Sequence, residues 1–196
     1  MRLPPTPRPP RLSRSGLILS LYAAMAVAAV AIGAAGHRGD VFVLARGPRA
    51  GAGAAGLVGS VALGAGFALA MVFAWRWAVH RLEWARRLRR EFREILGPLS
   101  PGELLLLAAA SSVGEEMLFR GALLPALPAG LWLSSAAFAL PHIGPGVRFL
   151  PWTASSLVAG LALGAMFLWR GDLVAPITAH FLINFINLRH ICERPL

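Results

Sequence analysis

Long apolar runs, broken by short polar and Pro/Gly-containing stretches, organise the chain. The first run, from about Gly16 to Ala35, has the roughly 20 residues of one bilayer crossing. A polar loop over 36–51 separates it from a second run at about 52–75. Within that run Gly56, Ser60 and Gly64 recur every four residues, a small-residue stripe that lets a second helix approach closely. From Trp77 to Leu96 the pattern changes. Trp77, Trp84, Leu88, Phe92 and Ile95 share one helical stripe, while Arg86, Arg87, Arg89, Arg90 and Arg93 dominate the rest. That is the signature of an interfacial amphipathic helix. Gly97, Pro98 and Pro101 break the chain. Four further apolar segments follow, at about 102–124, 129–142, 152–169 and 173–188. The pattern predicts an all-α fold: a polytopic transmembrane helix bundle of about six crossings plus one interfacial helix.

Composition agrees. Hydrophobic residues make up 57% of the 196-residue chain, and the mean hydropathy is +0.64, whereas a soluble domain holds about 45–50% apolar residues. Residues 1–15 carry Pro at 4, 5, 7, 9 and 10 and are expected to form a disordered basic N-terminus. Residues 16–101 then hold two crossings and the Arg-rich helix, residues 102–190 a distinct core, and residues 191–196 a short tail. The basic start and the small residues near Ala34 also resemble a secretory signal. The apolar core is longer than the usual ~7–15 residues, so a retained first helix is expected.

The net charge of +10 raises the question of nucleic acid, and its placement answers it. All 19 basic residues besides His are Arg, a bias that reflects genome composition rather than function. Eleven of them lie in the segments 2–14 and 76–93, each beside an apolar run. Such clusters mark cytoplasmic loops and anionic headgroups, and no nucleic-acid motif accompanies them. With six crossings and a cytoplasmic N-terminus, fourteen Arg fall inside and four (Arg38, Arg46, Arg49 and Arg170) outside, with Arg120 in the membrane. The expected setting is a bacterial inner membrane, crossed several times, with both termini in the cytoplasm. Cys192 is the only cysteine, which excludes an intrachain disulfide and a Cys-based zinc site.

The informative residues are polar ones inside the apolar segments. Glu115, Glu116 and Arg120 lie mid-span, where one ionisable group costs at least about 2.5–3.5 kcal/mol. Glu116 and Arg120 are four apart and can form an ion pair on one helix face. Glu115 lies about 100° around the helix, so it must face another helix or water. His142 ends the segment containing Phe138, just after Pro141. His180 and Asn184 share one face of the last span. Interhelical hydrogen bonding accounts for each of these groups taken singly. Together they hold the ingredients of water activation: a carboxylate base, an imidazole to orient or share a proton, and donors for an oxyanion. An i,i+4 pair can also ligate metal. No HExxH or GxSxG sequence is present, and no Ser–His dyad is evident.

Glu115-Glu116-xxx-Arg120, Phe138-xxx-His142 and His180-xxx-Asn184, in that order, resemble the three motifs of the CPBP intramembrane glutamic proteases. That family includes type II CAAX-prenyl endopeptidases, bacteriocin-processing and self-immunity proteins, and myxosortase-like enzymes that remove C-terminal sorting tags. The resemblance covers about residues 102–190, with Gly160-xxx-Gly164 as typical context. It implies an all-helical membrane protease with no cofactor and no obligatory metal. Glu115 would be the general base, assisted by His142; His180 and Asn184 would form the oxyanion hole; Glu116 and Arg120 would support the site. An older metalloprotease view remains the alternative for the chemistry, since Glu, two His and Asn could hold a divalent ion. The implied partners are membrane lipids and a membrane-anchored or C-terminally tagged protein or peptide substrate. A non-catalytic immunity or peptide-binding protein is the alternative function. Eukaryotic CAAX proteases have more crossings than six, and residues 1–101 carry no motif of the family.

Overall fold

The computed structural model describes residues 14–36, 40–44 and 53–193. The expected disorder of residues 1–15 falls, up to residue 13, outside the described residues, as does tail segment 194–196. Seven principal helices follow one another: α1 (Arg14–Ala35), α2 (Gly53–Arg81), α3 (Glu83–Leu96), α4 (Pro101–Glu116), α5 (Gly130–Ala139), α6 (Leu150–Arg170) and α7 (Val174–Glu193). A π-helical turn, Met117–Leu123, and a last α-helical turn, Leu124–Ala126, extend α4. Short 3₁₀ turns, Leu140–His142 and Val147–Phe149, link α5 to α6. The all-α bundle read from the apolar pattern is the fold observed.

Among the described residues, three helices are long and apolar enough to cross a membrane: Ser15–Ala35, Gly53–Arg81 and Val147–Arg170. A fourth crossing arises only if α3 and α4, bent by 105° at Gly97–Ser100, count as one broken span. The expectation of six is therefore not met by length and composition. At ten residues α5 rises about 15 Å, half the hydrocarbon thickness. The length of α7 is sufficient, but His180, Asn184, Asn187, Arg189 and His190 lower its hydropathy. The apolar helices mark the chain as a membrane protein.

Local chemistry sets the helix ends. Ser100 and Glu103 form a reciprocal capping box at the start of α4: the Ser100 hydroxyl accepts from the Glu103 amide at 3.2 Å, and the Glu103 carboxylate accepts from the Ser100 amide at 2.9 Å. Gly171, at φ 75°, closes α6 in the left-handed conformation that glycine adopts without penalty. One residue later the Asp172 carboxylate accepts the Val174 amide at 2.9 Å and opens α7.

The small-residue stripe of α2 is a packing face. Ser60, Gly64, Ala68 and Val72 are buried, and a Cβ on Gly64 would strike the Ala175 carbonyl and lie 2.9 Å from Thr178 Cβ on α7. Gly64→Val is expected to cost about 1–3 kcal/mol through this overlap, read as a lowered melting temperature in detergent. The stripe also carries a polar junction. Arg170 donates to the Ser60 hydroxyl at 2.9 Å and to the Gly56 carbonyl at 2.6 Å, and Ser60 donates to Asp172 at 2.8 Å. A strand-like segment, residues 40–44, seals that end: Leu44 donates to the Gly171 carbonyl and Leu173 to that of Phe42. Gly160 and Gly164 on α6 abut Ser135 and Leu131 on α5.

The amphipathic helix differs from its sequence reading in two respects. Residues 77–81 belong to α2, and the chain breaks at Leu82, whose backbone is extended. Arg89 is not on the solvated face. It is buried and donates to the His190 carbonyl of α7 at 2.9 Å. The inner face is Ala85, Leu88, Arg89 and Phe92, with Phe92 edge-on to Phe149 and Trp152. Trp84 and Ile95 are exposed, as are Arg86, Arg87 and Arg90, which cluster on Glu83.

Candidate active site

Helix α4 lies between α1 and α7, and α7 runs antiparallel to it across the polar residues. His180 meets Glu116, and Asn184, one turn further along α7, meets Ser111, about one turn earlier on α4. The i,i+4 spacing on α7 thus matches a five-residue spacing on its partner. Four of the six residues singled out in the sequence, Glu115, Glu116, Arg120 and His180, form one contiguous cluster.

Glu116 is its hub. One carboxylate oxygen accepts from Arg120 at 2.8 Å and from His180 Nδ1 at 2.7 Å. Glu116 and Arg120 are completely buried, at 0% exposure. The Arg120 guanidinium also donates to the Gly160 carbonyl at 3.2 Å and stacks 4.2 Å above the Phe138 ring. These contacts engage its other face, while Nε is buried without a hydrogen-bond partner. Arg120 sits in the π-helical turn. The Leu124 amide reaches back five residues to the Phe119 carbonyl there, the widened geometry that often marks functional helices. The next residue, Gly121, has the Val41 carbonyl against it where a Cβ would stand.

Glu115 points elsewhere, as its 100° offset requires. Its Oε2 stands 3.8 Å from His180 Nε2, with side-chain exposures of 13% and 7%. The gap is too long for a hydrogen bond and suits one bridging water. Glu115 Oε2 is buried without a hydrogen-bond partner. The side chain of Tyr22 on α1, the only tyrosine in the chain, comes within interaction reach of this carboxylate. Sequence reasoning missed Tyr22. The available signal was a single phenol within a mostly apolar run.

The two rings of α7 and the α5–α6 link meet through Phe138. Its ring centroid is 5.8 Å from that of His180 and 4.8 Å from that of His142. Pro141 ends the α-helix, and the ring of His142, rather than a backbone amide, takes the Phe138 carbonyl: Nδ1–H donates to it at 2.8 Å. Nε2 is therefore the nitrogen with a lone pair. The Thr153 hydroxyl holds the His142 carbonyl at 2.7 Å, and Trp152 packs edge-on against the imidazole. His142 reaches the cluster through Phe138; no described hydrogen bond or ion pair joins it to Glu115.

Asn184 donates to the Ser111 hydroxyl at 3.0 Å. An amide NH₂ carries two N–H groups, so one is used to orient the side chain and the second is left. Ser111 is another residue that sequence reasoning did not reach. Among the described residues no group of three or more His, Cys, Asp or Glu is arranged to hold a metal ion.

An all-helical membrane protein with two carboxylates, an arginine and an imidazole clustered between α4 and α7 defines the class. Residues 98–186 match the family described as type II CAAX prenyl endopeptidase Rce1-like. The match takes in all four residues of the cluster but not Tyr22. A similar protein, the uncharacterized protein YpbD of Bacillus subtilis (strain 168), is 35% identical over 97 residues, 48% of each chain. The chain thus spans about half the length of that curated relative. No solved structure matches it.

Proposed function

We propose that the chain is a metal-independent intramembrane glutamic endopeptidase that hydrolyses peptide bonds of membrane-associated substrates. The observation that carries this reading is the facing pair Glu115 Oε2 and His180 Nε2, 3.8 Å apart, within a buried cluster. A water placed there gives up a proton to Glu115 as its oxygen attacks the substrate carbonyl. Glu116 is held as a carboxylate by Arg120, so His180 Nδ1 carries the proton that they share. With Nε2 also protonated, His180 is a donor for the oxyanion, beside the remaining N–H of Asn184. The proton taken by Glu115 passes to the leaving amine, with His142 Nε2 available as its relay. Phe138 and Trp152 keep bulk water from this end of the site.

The substrates are membrane-anchored or C-terminally tagged proteins, or peptides that enter laterally from lipid. The setting is a bacterial inner membrane with a cytoplasmic N-terminus. Exposed Arg86, Arg87 and Arg90, flanked by Trp84 and Ile95, suit α3 to an anionic leaflet.

The test compares the membrane peptides of cells carrying the wild-type chain with those of Glu115→Gln cells. Uncleaved precursors are expected to accumulate in the variant, at equal protein level in the membrane. Identical peptide profiles would favour a non-catalytic peptide-binding protein. Two further outcomes are expected with the purified chain. Asn184→Ala loses about 10²–10³-fold in kcat, the usual cost of one oxyanion donor. Chelators leave cleavage unchanged, whereas a catalytic divalent ion at Glu115 and His180 would make it chelator-sensitive.

A further inference from the structure

Helix α1 lies outside the family match, yet it delivers a side chain to the cluster. We propose that Tyr22 is a positioning residue that fixes the Glu115 carboxylate, so that α1 completes the catalytic centre. The inference rests on the protease reading above.

Two independent features place Tyr22 there. First, α1 crosses α4 at Gly114 with almost no clearance: a Cβ on Gly114 would lie 2.9 Å from the Tyr22 carbonyl oxygen and 3.1 Å from Tyr22 Cβ. Only glycine lets the backbones approach so closely, and the approach brings Tyr22 beside residue 115. Second, the Tyr22 side chain comes within interaction reach of the Glu115 side chain, where its hydroxyl is the available donor.

The need for such a donor follows from the carboxylate itself. The terminal torsion of Glu is broad and roughly two-fold, so backbone and packing do not fix which oxygen faces His180. Glu116 is locked by two hydrogen-bonding partners, Arg120 and His180, whereas no side chain of α4 hydrogen-bonds Glu115 in the described structure. A Tyr22 bond to the other oxygen leaves Oε2, which has no hydrogen-bond partner, opposite His180 Nε2 under this proposal. Preorganisation of this kind acts on the reactive geometry rather than on substrate affinity, and a misplacement of about 1 Å can cost 10²-fold.

The experiment uses the full chain in proteoliposomes, with Tyr22→Phe, Glu115→Gln and the wild type in parallel. The substrates are peptides that distinguish wild-type from Glu115→Gln membranes. Tyr22→Phe keeps the ring and its packing and removes only the hydroxyl. Its expected effect is a fall of about ten- to a hundredfold in kcat with KM unchanged. A second readout needs no substrate: the infrared carboxyl band that disappears in Glu115→Gln should shift in Tyr22→Phe. An unshifted band overturns the hydrogen bond, and a shifted band with wild-type kcat overturns its catalytic importance. A rise in KM alone would make Tyr22 a substrate contact instead. Wild-type peptide profiles in Glu115→Gln would sink the protease reading itself, and the positioning role with it.

Discussion

Glu115→Gln is expected to leave the chain folded in the membrane and to lower turnover by about 10²–10⁴-fold. The amide is isosteric with the carboxylate and can still accept from Tyr22, so packing between α1 and α4 is retained. It has no basic oxygen to take the proton from water, and general-base assistance typically contributes a factor of that size. In energy the loss is about 3–5 kcal/mol of transition-state stabilisation, at 1.36 kcal/mol per decade. The check is a single-turnover rate on reconstituted protein, with the melting temperature measured alongside. Unchanged turnover would remove Glu115 from the mechanism as its general base.

The second large effect falls on stability. Arg120→Leu leaves Glu116 as a fully buried carboxylate with only His180 as partner. Breaking a buried pair by removing one member costs about 3–5 kcal/mol, a large share of the 5–15 kcal/mol that holds a typical domain. Arg120→Leu is therefore expected to accumulate poorly in membranes and to melt early in detergent. Glu116→Leu combined with Arg120→Leu should recover much of that loss, because no uncompensated charge remains. Activity should not return, since His180 then lacks the acceptor at 2.7 Å that sets its ring. Recovery of both folding and activity would reduce the pair to ballast. Recovery of neither would show that the Arg120 contacts with Gly160 and Phe138 matter more than the charge.

Periodicity alone made part of the site legible. Residues four apart on a helix share a face, so Glu116 and Arg120 were paired from spacing, and Glu115 was left pointing away; both relations recur in the folded chain. The same spacing placed His180 and Asn184 on one face of α7. It could not say which residues they meet, because Ser111–Asn184 and Glu116–His180 bridge 73 and 64 positions of sequence. Arg89 shows the opposite failure. Its place in an Arg-rich stretch suggested the solvated face, yet the carbonyl of His190 at the end of α7 draws it inward.

The sequence by itself determined the all-helical membrane class, since apolar runs of bilayer length permit little else, and the three ordered motifs that resemble a protease family. Only the tertiary structure showed where the apolar runs break into separate helices. A bend of 105° before α4 and the shortness of α5 depend on breaks that composition does not rank. It also decided which groups share the site. Glu116 became the hub of Arg120 and His180, and Tyr22 became a neighbour of Glu115, because glycine at position 114 brings two distant helices into backbone contact. A pattern along one chain records faces; it does not record which faces meet.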